Sequence, residues 1–371
     1  MKINQKQITK HYLIETSAHI KLEVNQKEVG VMRAVKGING SAQLLELPNP
    51  EMIPQFVKVK TDYSVVSVGT ELMMIQNNED ANLGYSASGI VMEVGEGVTH
   101  VVPGQRVACY GVPAHREFLL VPKYLVAPIP EGVTQQEAAF VGIGAIAIHA
   151  LRQAGLSFGE TIIIAGLGIL GQVIARIAHA ASYRVIGLEL MEERCRTLEA
   201  IGAIACRSQE ELQRVVESDP SIIGADAVML CASNRKYSMM DDAIGWLRDR
   251  GRVVIVGDTG TEFDRDLLFM KEASVHISRA GGPGRYEDTY EQRGVDYPIG
   301  YVRWTEGRNM GEFLRLMAEK RIDMQSLITH ECALDDLPSM YQSCLEKPQN
   351  SMGIVVRYAK LDPVQVAFDK L

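Results

Sequence analysis

The chain has 371 residues, of which 46% are hydrophobic and 23% charged, an ordinary composition for a globular protein of about two domains. A net charge of −8 at pH 7 argues against nucleic-acid binding, and six scattered cysteines without a C-x-x-C pair argue against a disulfide framework or a cysteine-rich zinc lobe. The polar N-terminus and the lack of a long apolar run predict neither a leader nor a membrane anchor, so we expect a cytoplasmic protein.

The first half of the chain has the pattern of short β-strands. Residues 1–30 form an extension to which the sequence assigns no role. From Val31 to about Ala127, segments such as 56–60 alternate between apolar and polar residues, and turn signals such as Pro103-Gly104 separate them. Many short strands with regular turns predict a β-rich barrel or sandwich.

The pattern changes near Thr134. Residues 138–151 are small and apolar, as in a buried helix, and alternating strands and helices follow. Five predicted strands lie at 161–165, 184–188, 226–230, 252–256 and 275–277. Continuous apolar strands alternating with amphipathic helices indicate a doubly wound parallel sheet, so the predicted fold class is α/β.

The strongest chemical signal is the glycine-rich sequence GLGILG at residues 166–171. Gly166 permits a tight turn, Gly168 lets the backbone approach a pyrophosphate, and Gly171 allows close packing of helix and strand. Ile169 and Leu170 begin a predicted helix whose N-terminus offers free N–H groups to phosphate oxygens. These five residues are therefore predicted to bind a dinucleotide, although a domain that keeps its glycines for packing alone is the alternative.

The residue after the second strand indicates which dinucleotide is bound. Glu189 can accept hydrogen bonds from both ribose hydroxyls of NAD and would repel the 2′-phosphate of NADP. Arg194 is expected near the adenosine or paired with a glutamate. We also assign Cys231 and Val256, at the ends of later strands, to the cofactor site, so the predicted cofactor is NAD.

The order of these parts resembles the medium-chain dehydrogenase/reductase superfamily. Four stretches are similar to its motifs: GYSASGIV at 84–91, PGQRV at 103–107, IAIHA at 146–150 and LITH at 327–330. The resemblance implies a GroES-like catalytic domain at 1–148 and 281–371, a Rossmann domain at 149–280, and a homodimer or homotetramer. It also implies a cleft between the two domains that binds a small-molecule substrate.

The positions of the superfamily's zinc ligands carry other residues. Val68, Tyr85, Ser86 and Gly142 stand where the resemblance implies the catalytic ligands, and Cys109 is the one cysteine left between residues 107 and 118. Zinc requires Cys, His or carboxylate ligands. We therefore expect no metal.

A later segment, residues 278–306, resembles a narrower branch: the dehydrogenase half of bacterial bi-domain oxidoreductases of sugar and polysaccharide metabolism. The stretch VGTE at 68–71 also resembles chlorophyllide dehydrogenase. The first resemblance implies NAD-linked oxidation of a secondary alcohol on a sugar, glycoside, cyclitol or sugar nucleotide. The alternatives are a zinc-free enoyl or quinone reductase and a non-catalytic NAD-binding subunit.

Without zinc, a proton-transferring group must replace it. Thr70 matches the superfamily's proton-relay hydroxyl, Glu71 matches a family acid that is often structural, and Tyr85 replaces a ligand histidine. A tyrosine with an ordinary pKa needs a nearby cation to act as a base, and Arg279 is one candidate. His115, in the shortened loop, is expected to be solvated rather than catalytic.

The segment 281–306 is the candidate for substrate recognition. Arg285 and Arg303 can bind carboxylate or phosphate in bidentate fashion, and Tyr286, Tyr297 and Trp304 can stack on a sugar ring. The same residue types are enriched at subunit interfaces, which is the alternative.

Overall fold

The computed structural model describes residues 30–219, 222–232, 238–346 and 351–359. The predicted N-terminal extension, apart from Gly30, and the C-terminal end of the predicted GroES-like domain lie outside these residues. Within the described ranges, no helix is long and apolar enough to cross a membrane. The described residues from Val31 onward form one compact unit.

The first part of the chain forms strands that lie in two sheets. Their alternating residues place one face inward, as Val57 and Val59 show with no exposed surface. The elements are β1 Val31–Ile38, β2 Ser41–Pro48, β3 Phe56–Val66, α1 Val68–Asn77, β4 Asp80–Asn82, β5 Ser86–Val94, β6 Arg106–Tyr110, β7 Phe118–Pro122, β8 Val126–Pro128, α2 Gln135–Ala138 and α3 Val141–Ala154. One sheet has the order β2-β1-β4, and β3, β5, β6 and β8 pair side by side in the other, with β7 also on β3.

Helix α3 connects this part to the next. Its small apolar residues are buried almost throughout, as the sequence predicts. Gly144 lets α3 lie against Phe313, because a Cβ at Gly144 would come within 2.2 Å of that ring. The helix ends at Gly155, which has φ 57°, a left-handed conformation that glycine adopts at helix C-termini.

A parallel sheet follows. Its elements are β9 Thr161–Ala165, α4 Ile169–Ala180, β10 Arg184–Leu188, α5 Glu192–Glu199, β11 Ile204–Cys206, α6 Gln209–Ser218, β12 Ala225–Leu230, α7 Met240–Trp246, β13 Leu247–Ile255, α8 Arg265–Met270 and β14 Ser274–Ile277. The order is β11-β10-β9-β12-β13-β14, so the direction of winding reverses between β9 and β12. This confirms the predicted doubly wound sheet. Strand β11 was not predicted, because three residues are too few to show a periodicity.

The chain then returns to the sheet that contains β3. The elements are α9 Asp288–Glu291, α10 Glu306–Ala318, β15 Ile328–Ala333, α11 Leu337–Glu346 and β16 Gly353–Arg357. Strand β16 pairs with β3, which completes the order β15-β16-β3-β5-β6-β8. Helix α10 begins at Glu306, where the Thr305 side chain caps it. The parallel sheet therefore lies between two segments that share one sheet, and the exact domain boundaries stay a prediction.

Candidate active site

The glycine-rich turn lies at the carboxyl end of β9, where the strand order reverses. Gly166 has φ 96°, and a Cβ there would be 2.7 Å from the backbone nitrogen of Ala232. A Cβ at Gly171 would be 2.0 Å from the carbonyl oxygen of Gly166. Gly168, by contrast, has open space, with only the Arg194 guanidinium at 4.0 Å. The turn therefore needs two glycines for its own packing and leaves a space beside the third, at the N-terminus of α4, where a phosphate fits.

Glu189 and Arg194 lie beside this turn. One Glu189 oxygen accepts from the Leu167 nitrogen at 2.9 Å, and the other accepts from the Leu190 and Met191 nitrogens at 2.9 and 3.2 Å. Arg194 is 3.5 Å from the same carboxylate, and its buried Nε has no hydrogen-bond partner among the described residues. An anchored carboxylate and an unsatisfied guanidinium nitrogen suit a ribose and a neighbouring anionic group.

The remaining cofactor candidates lie at the same edge of the sheet. Cys231 follows β12 and its nitrogen bonds the Ala165 carbonyl at 2.9 Å, and Val256 follows β13. Ser278 follows β14, and its buried hydroxyl has no partner among the described residues. Crevices at the carboxyl edge of a parallel sheet, at a switch point, bind dinucleotides, so the residues present fit a nicotinamide cofactor. Ser278 was not among the predicted cofactor residues, because its signal is a missing partner rather than a motif.

Thr70 and Glu71 are neighbours on α1 but point to different environments. Thr70 is exposed. Glu71 has no exposed surface, and its oxygens accept from the Ser67 nitrogen at 2.7 Å, the Gly84 nitrogen at 3.2 Å, His115 Nε2 at 2.9 Å and the Tyr341 hydroxyl. Every donor around Glu71 belongs to the fold, which favours a structural role, and a part in catalysis stays a prediction.

His115 is also corrected by the structure, since it is buried rather than solvated. Its Nδ1 lies 2.8 Å from the Ser64 hydroxyl, which lies 2.9 Å from the Tyr358 hydroxyl. Burial raises the pKa of Glu71, but the charge and hydrogen bond of His115, with further hydrogen bonds, outweigh it and hold that pKa below its usual value. The network fixes the backbone on both sides of Tyr85.

Tyr85 is half-buried and lies between the Ser67 side chain and the ring of Tyr110. The two tyrosine rings meet edge to face, with centroids 6.1 Å apart. Burial raises the pKa of Tyr85 to about 12, and a hydrogen bond to Ser67 offsets only part of this effect. The Tyr85 hydroxyl is therefore neutral at physiological pH and is a hydrogen-bond donor rather than a base.

The positions of the superfamily's zinc ligands do converge in space, and they contain no set of metal donors. The Ser86 hydroxyl donates to the Ala139 carbonyl and accepts from the Gly142 nitrogen at 2.7 Å. A Cβ at Gly142 would be 2.6 Å from the Tyr110 ring, so this ring fills the space that a longer residue would occupy. Among the residues that the structure describes, no group of three His, Cys, Asp or Glu side chains could hold a metal. The residues present do not fit zinc.

Residues 279–286, here named the 279–286 loop, cover this position from the parallel-sheet side. Four of its residues have left-handed backbones: Ala280 (φ 47°), Gly282 (φ 101°), Gly284 (φ 100°) and Tyr286 (φ 64°). A Cβ at Gly282 would be 2.7 Å from His149, and one at Gly284 would be 2.6 Å from Tyr290. The loop is thus built into its surroundings and is not a free insertion.

The loop brings two arginines and an exposed tyrosine to Tyr110. The Arg285 guanidinium lies 5.3 Å from the Tyr110 ring and 4.3 Å from the Tyr286 ring, and the Arg279 guanidinium lies 5.1 Å from Tyr286. Arg285 pairs with Glu291 at 2.7 Å, so its charge is already balanced. Tyr85, Tyr110 and Tyr286 form one cluster, named here the tyrosine cluster. Tyr110 was missed in the sequence, where only its place at the end of a β segment marked it.

The other predicted substrate residues lie elsewhere. Trp304 is stacked between the guanidiniums of Arg152, at 3.5 Å, and Arg303, at 4.1 Å. Arg152 lies on α3 about 15 Å along the helix axis from Gly142. Tyr297 packs on Tyr290, with ring centroids 5.8 Å apart. These contacts hold the segment 281–306 against the protein and give Arg303, Trp304 and Tyr297 partners other than the tyrosine cluster, and their role in substrate binding stays a prediction.

Curated proteins and a family model match this chain. The family model described as zinc-binding dehydrogenase matches residues 169–293. Sorbitol dehydrogenase of Halalkalibacterium halodurans is 24% identical over 82% of this chain and 92% of that protein. Sorbitol dehydrogenase of Gallus gallus is 26% identical over 80% of this chain and 88% of that protein.

Solved structures share the fold. 2R,3R-butanediol dehydrogenase from Bacillus subtilis has a TM-score of 0.72 at 21% identity, covering 88% of this chain and 99% of that chain. An alcohol dehydrogenase from Escherichia coli complexed with NADH has a TM-score of 0.72 at 18% identity, and a dehydrogenase from Sinorhizobium meliloti bound to NADP has 0.69 at 20%, each covering 88% of this chain and 99% of the other. The strand order, the family model and these relatives together support the medium-chain dehydrogenase/reductase superfamily as the family that this chain resembles.

Proposed function

We propose that this chain is a zinc-independent, NAD(H)-dependent oxidoreductase that interconverts a secondary alcohol and a ketone. The observation that carries the proposal is the tyrosine cluster, in which Tyr110 fills the space beside Gly142 and its ring meets that of Tyr85, which stands at another of the superfamily's zinc-ligand positions. The relatives named above are dehydrogenases of sorbitol and butanediol, which supports an alcohol–ketone reaction.

NAD is the proposed cofactor because of Glu189. Its carboxylate, held by three backbone nitrogens, lies at the end of β10 and would repel a 2′-phosphate. Solved structures of this fold hold either NADH or NADP, so the fold itself does not decide between them. We expect Glu189→Ala to narrow the preference for NAD over NADP by about tenfold or more, measured as a ratio of dissociation constants.

The chain's own residues would stabilise the charge that develops on the substrate oxygen. The nicotinamide, when bound, donates or accepts the hydride. The neutral hydroxyls of Tyr85 and Tyr110 can donate hydrogen bonds to a carbonyl oxygen and stabilise it as an alkoxide forms. Ser67 orients the Tyr85 hydroxyl, and exposed Thr70 is available to connect the site with solvent.

We propose a hydroxyl-rich substrate such as a sugar, glycoside, cyclitol or sugar nucleotide. Tyr286 is 62% exposed beside the cluster and can stack on a sugar ring, and the Arg279 guanidinium beside it can bind a polar or anionic substituent. The resemblance of residues 278–306 to sugar-metabolism oxidoreductases supports the same class.

The test is NADH formation from a panel of inositols, hexoses, glycosides and sugar nucleotides, each with and without a chelator. We expect turnover that survives chelation and falls in Tyr85→Phe. Tyr301→Phe is the matched control, because Tyr301 is 90% exposed. Turnover abolished by the chelator would overturn zinc independence, and NAD binding without turnover of any alcohol would favour the enoyl-reductase or non-catalytic alternatives.

A further inference from the structure

Glu306 is the first residue of α10 and has no exposed surface. Neither of its carboxyl oxygens accepts a hydrogen bond from a donor among the residues that the structure describes, whereas a protonated Glu306 can donate to the Glu291 carboxylate. A buried carboxylate without donors is strongly destabilised relative to water, whereas a protonated carboxyl costs much less. The site therefore favours a proton on Glu306.

The charges around Glu306 lead to the same result. The titratable side chains that face it are Tyr110 on β6, Arg285 and Glu287 in the segment before α9, and Tyr290 and Glu291 on α9. Arg285 is the one cation in this group, and it is already paired with Glu291 at 2.7 Å. Arg285 balances Glu291, and Glu287 adds another negative charge, so a charge on Glu306 would have no cation in this group to balance it. Burial, followed by the charge of Glu291, raises the pKa of Glu306 to about 9.

The position of Glu306 connects it to the tyrosine cluster. Both Glu306 and Tyr110 lie against Gly281: a Cβ at Gly281 would be 3.0 Å from Glu306 Cβ and 3.4 Å from the Tyr110 hydroxyl oxygen. No larger residue fits between them at this point. The side chains of Glu306 and Tyr110 are therefore neighbours on the two sides of Gly281.

We propose that Glu306 stores the proton that Tyr110 exchanges with the substrate oxygen. In ketone reduction, the carbonyl carbon gains a hydride and the carbonyl π pair moves to oxygen. That oxygen takes the Tyr110 proton as a new O–H bond forms, and the Tyr110 oxygen takes the Glu306 proton. The resulting Glu306 carboxylate faces Arg285 until solvent restores its proton, and alcohol oxidation follows the same steps in reverse. The role in turnover rests on the proposed function, whereas the stored proton does not.

The first experiment detects the proton without any substrate. Infrared difference spectra of the full chain, recorded across a pH range centred on about 9, are expected to show loss of one protonated-carboxyl band. The band is absent in Glu306→Gln and retained in the control Glu312→Gln, whose carboxylate pairs with Arg315 on the surface of the same helix. Retention of the band in Glu306→Gln, its loss in the control Glu312→Gln, or no titrating band in the unmodified chain would overturn the inference.

The second experiment tests the transfer with an alcohol and ketone identified in the panel above. Ketone reduction needs the protonated form, so its kcat is expected to fall above about pH 9, and oxidation is expected to rise toward that pH. Glu306→Gln should lose about 100-fold in kcat and the pH dependence, with KM and NADH binding unchanged, and Glu306→Asp should restore part of both. Unchanged kcat in Glu306→Gln would refute the transfer step. A titrating band without turnover of any alcohol would refute the proposed function and leave proton storage standing.

Discussion

Two glutamates of this protein are equally buried but differ in their hydrogen-bond donors and in their pKa. Glu71 and Glu306 both have no exposed surface. Glu71 accepts hydrogen bonds from two backbone nitrogens, a histidine and a tyrosine, whereas Glu306 accepts from no donor among the described residues. The pKa of Glu71 lies below its ordinary value, and that of Glu306 is raised to about 9.

The difference shows that donors, rather than burial, decide whether a buried carboxyl is ionised. A carboxylate surrounded by donors holds the backbone in place, as Glu71 does between α1 and Gly84. A carboxyl without donors keeps its proton and can give it up. The same residue type thus serves the structure in one pocket and, in our proposal, the chemistry in the other.

The largest expected effect is on the free energy of unfolding. Replacing glutamate by glutamine should have very different consequences at Glu71 and at Glu306. Glu71→Gln turns an amide N–H₂ toward groups that are themselves donors and should cost about 3–5 kcal/mol in the free energy of unfolding. Glu306→Gln meets no such conflict and, near pH 4.5 where the folded chain holds Glu306 protonated, should stay within about 1 kcal/mol of the unmodified chain. Urea unfolding measures both, and equal losses would remove the distinction between the pockets.

The next largest effects should distinguish Tyr110, which lies near Glu306, from Tyr341, which hydrogen-bonds to Glu71. Tyr110→Phe should lower kcat about 100-fold with little change in stability, because it removes a hydroxyl donor from the reacting oxygen. Tyr341→Phe removes a donor to Glu71 and should cost about 1–3 kcal/mol of stability, with kcat largely kept. Steady-state kinetics and unfolding of both variants provide the check, and a reversed pattern would contradict both assignments.

The contributions of Glu71 and Glu306 to the free energy of unfolding should change with pH in opposite directions. The pKa of Glu71 is lowered from 4.5, so its stabilisation is present above that value and is lost as the pH falls through the folded-state pKa. The pKa of Glu306 is raised from 4.5 to about 9, so its contribution is complete below 4.5 and is lost as the pH rises to about 9. Relative to Glu306→Gln, the unmodified chain should lose at most about 1.4 kcal/mol per pH unit in that window. Parallel stability curves for the two proteins would show that Glu306 does not titrate there.

The smallest effect is expected at Arg303, an exposed cation outside both pockets. Its guanidinium stacks on Trp304. Arg303→Ala should change KM and stability by no more than about twofold or 0.5 kcal/mol. A tenfold rise in KM would return Arg303 to the substrate site and would weaken the assignment of recognition to Tyr286 and Arg279.

The sequence was most informative where the relevant residues are contiguous. The glycine-rich turn, β9, α4 and Glu189 follow one another, and each shows in spacing or periodicity. Thr70 and Glu71 are also adjacent, but successive helix residues point about 100° apart, so one is exposed and the other buried. That difference depends on which side of α1 is packed, and a short motif does not contain it.

The chemistry around Glu306 depends on contacts between distant segments. Tyr110 ends a strand in the first sheet system, Glu306 begins a helix near the other end of the chain, and Gly281 follows the parallel sheet. No local pattern connects the three. The sequence likewise grouped Arg285 with Arg303 because they share a segment, whereas α3 and the 279–286 loop place them in separate clusters.

The four left-handed residues of the 279–286 loop have a consequence for the thermodynamics of association. Ordering a flexible residue costs about 1–2 kcal/mol of conformational entropy, and a binding loop that orders around its ligand must lose that amount at each position. This loop is wedged against His149, Tyr290 and Glu306 before any ligand arrives. A ligand therefore meets a preorganised surface, and its binding enthalpy is not offset by ordering of the protein.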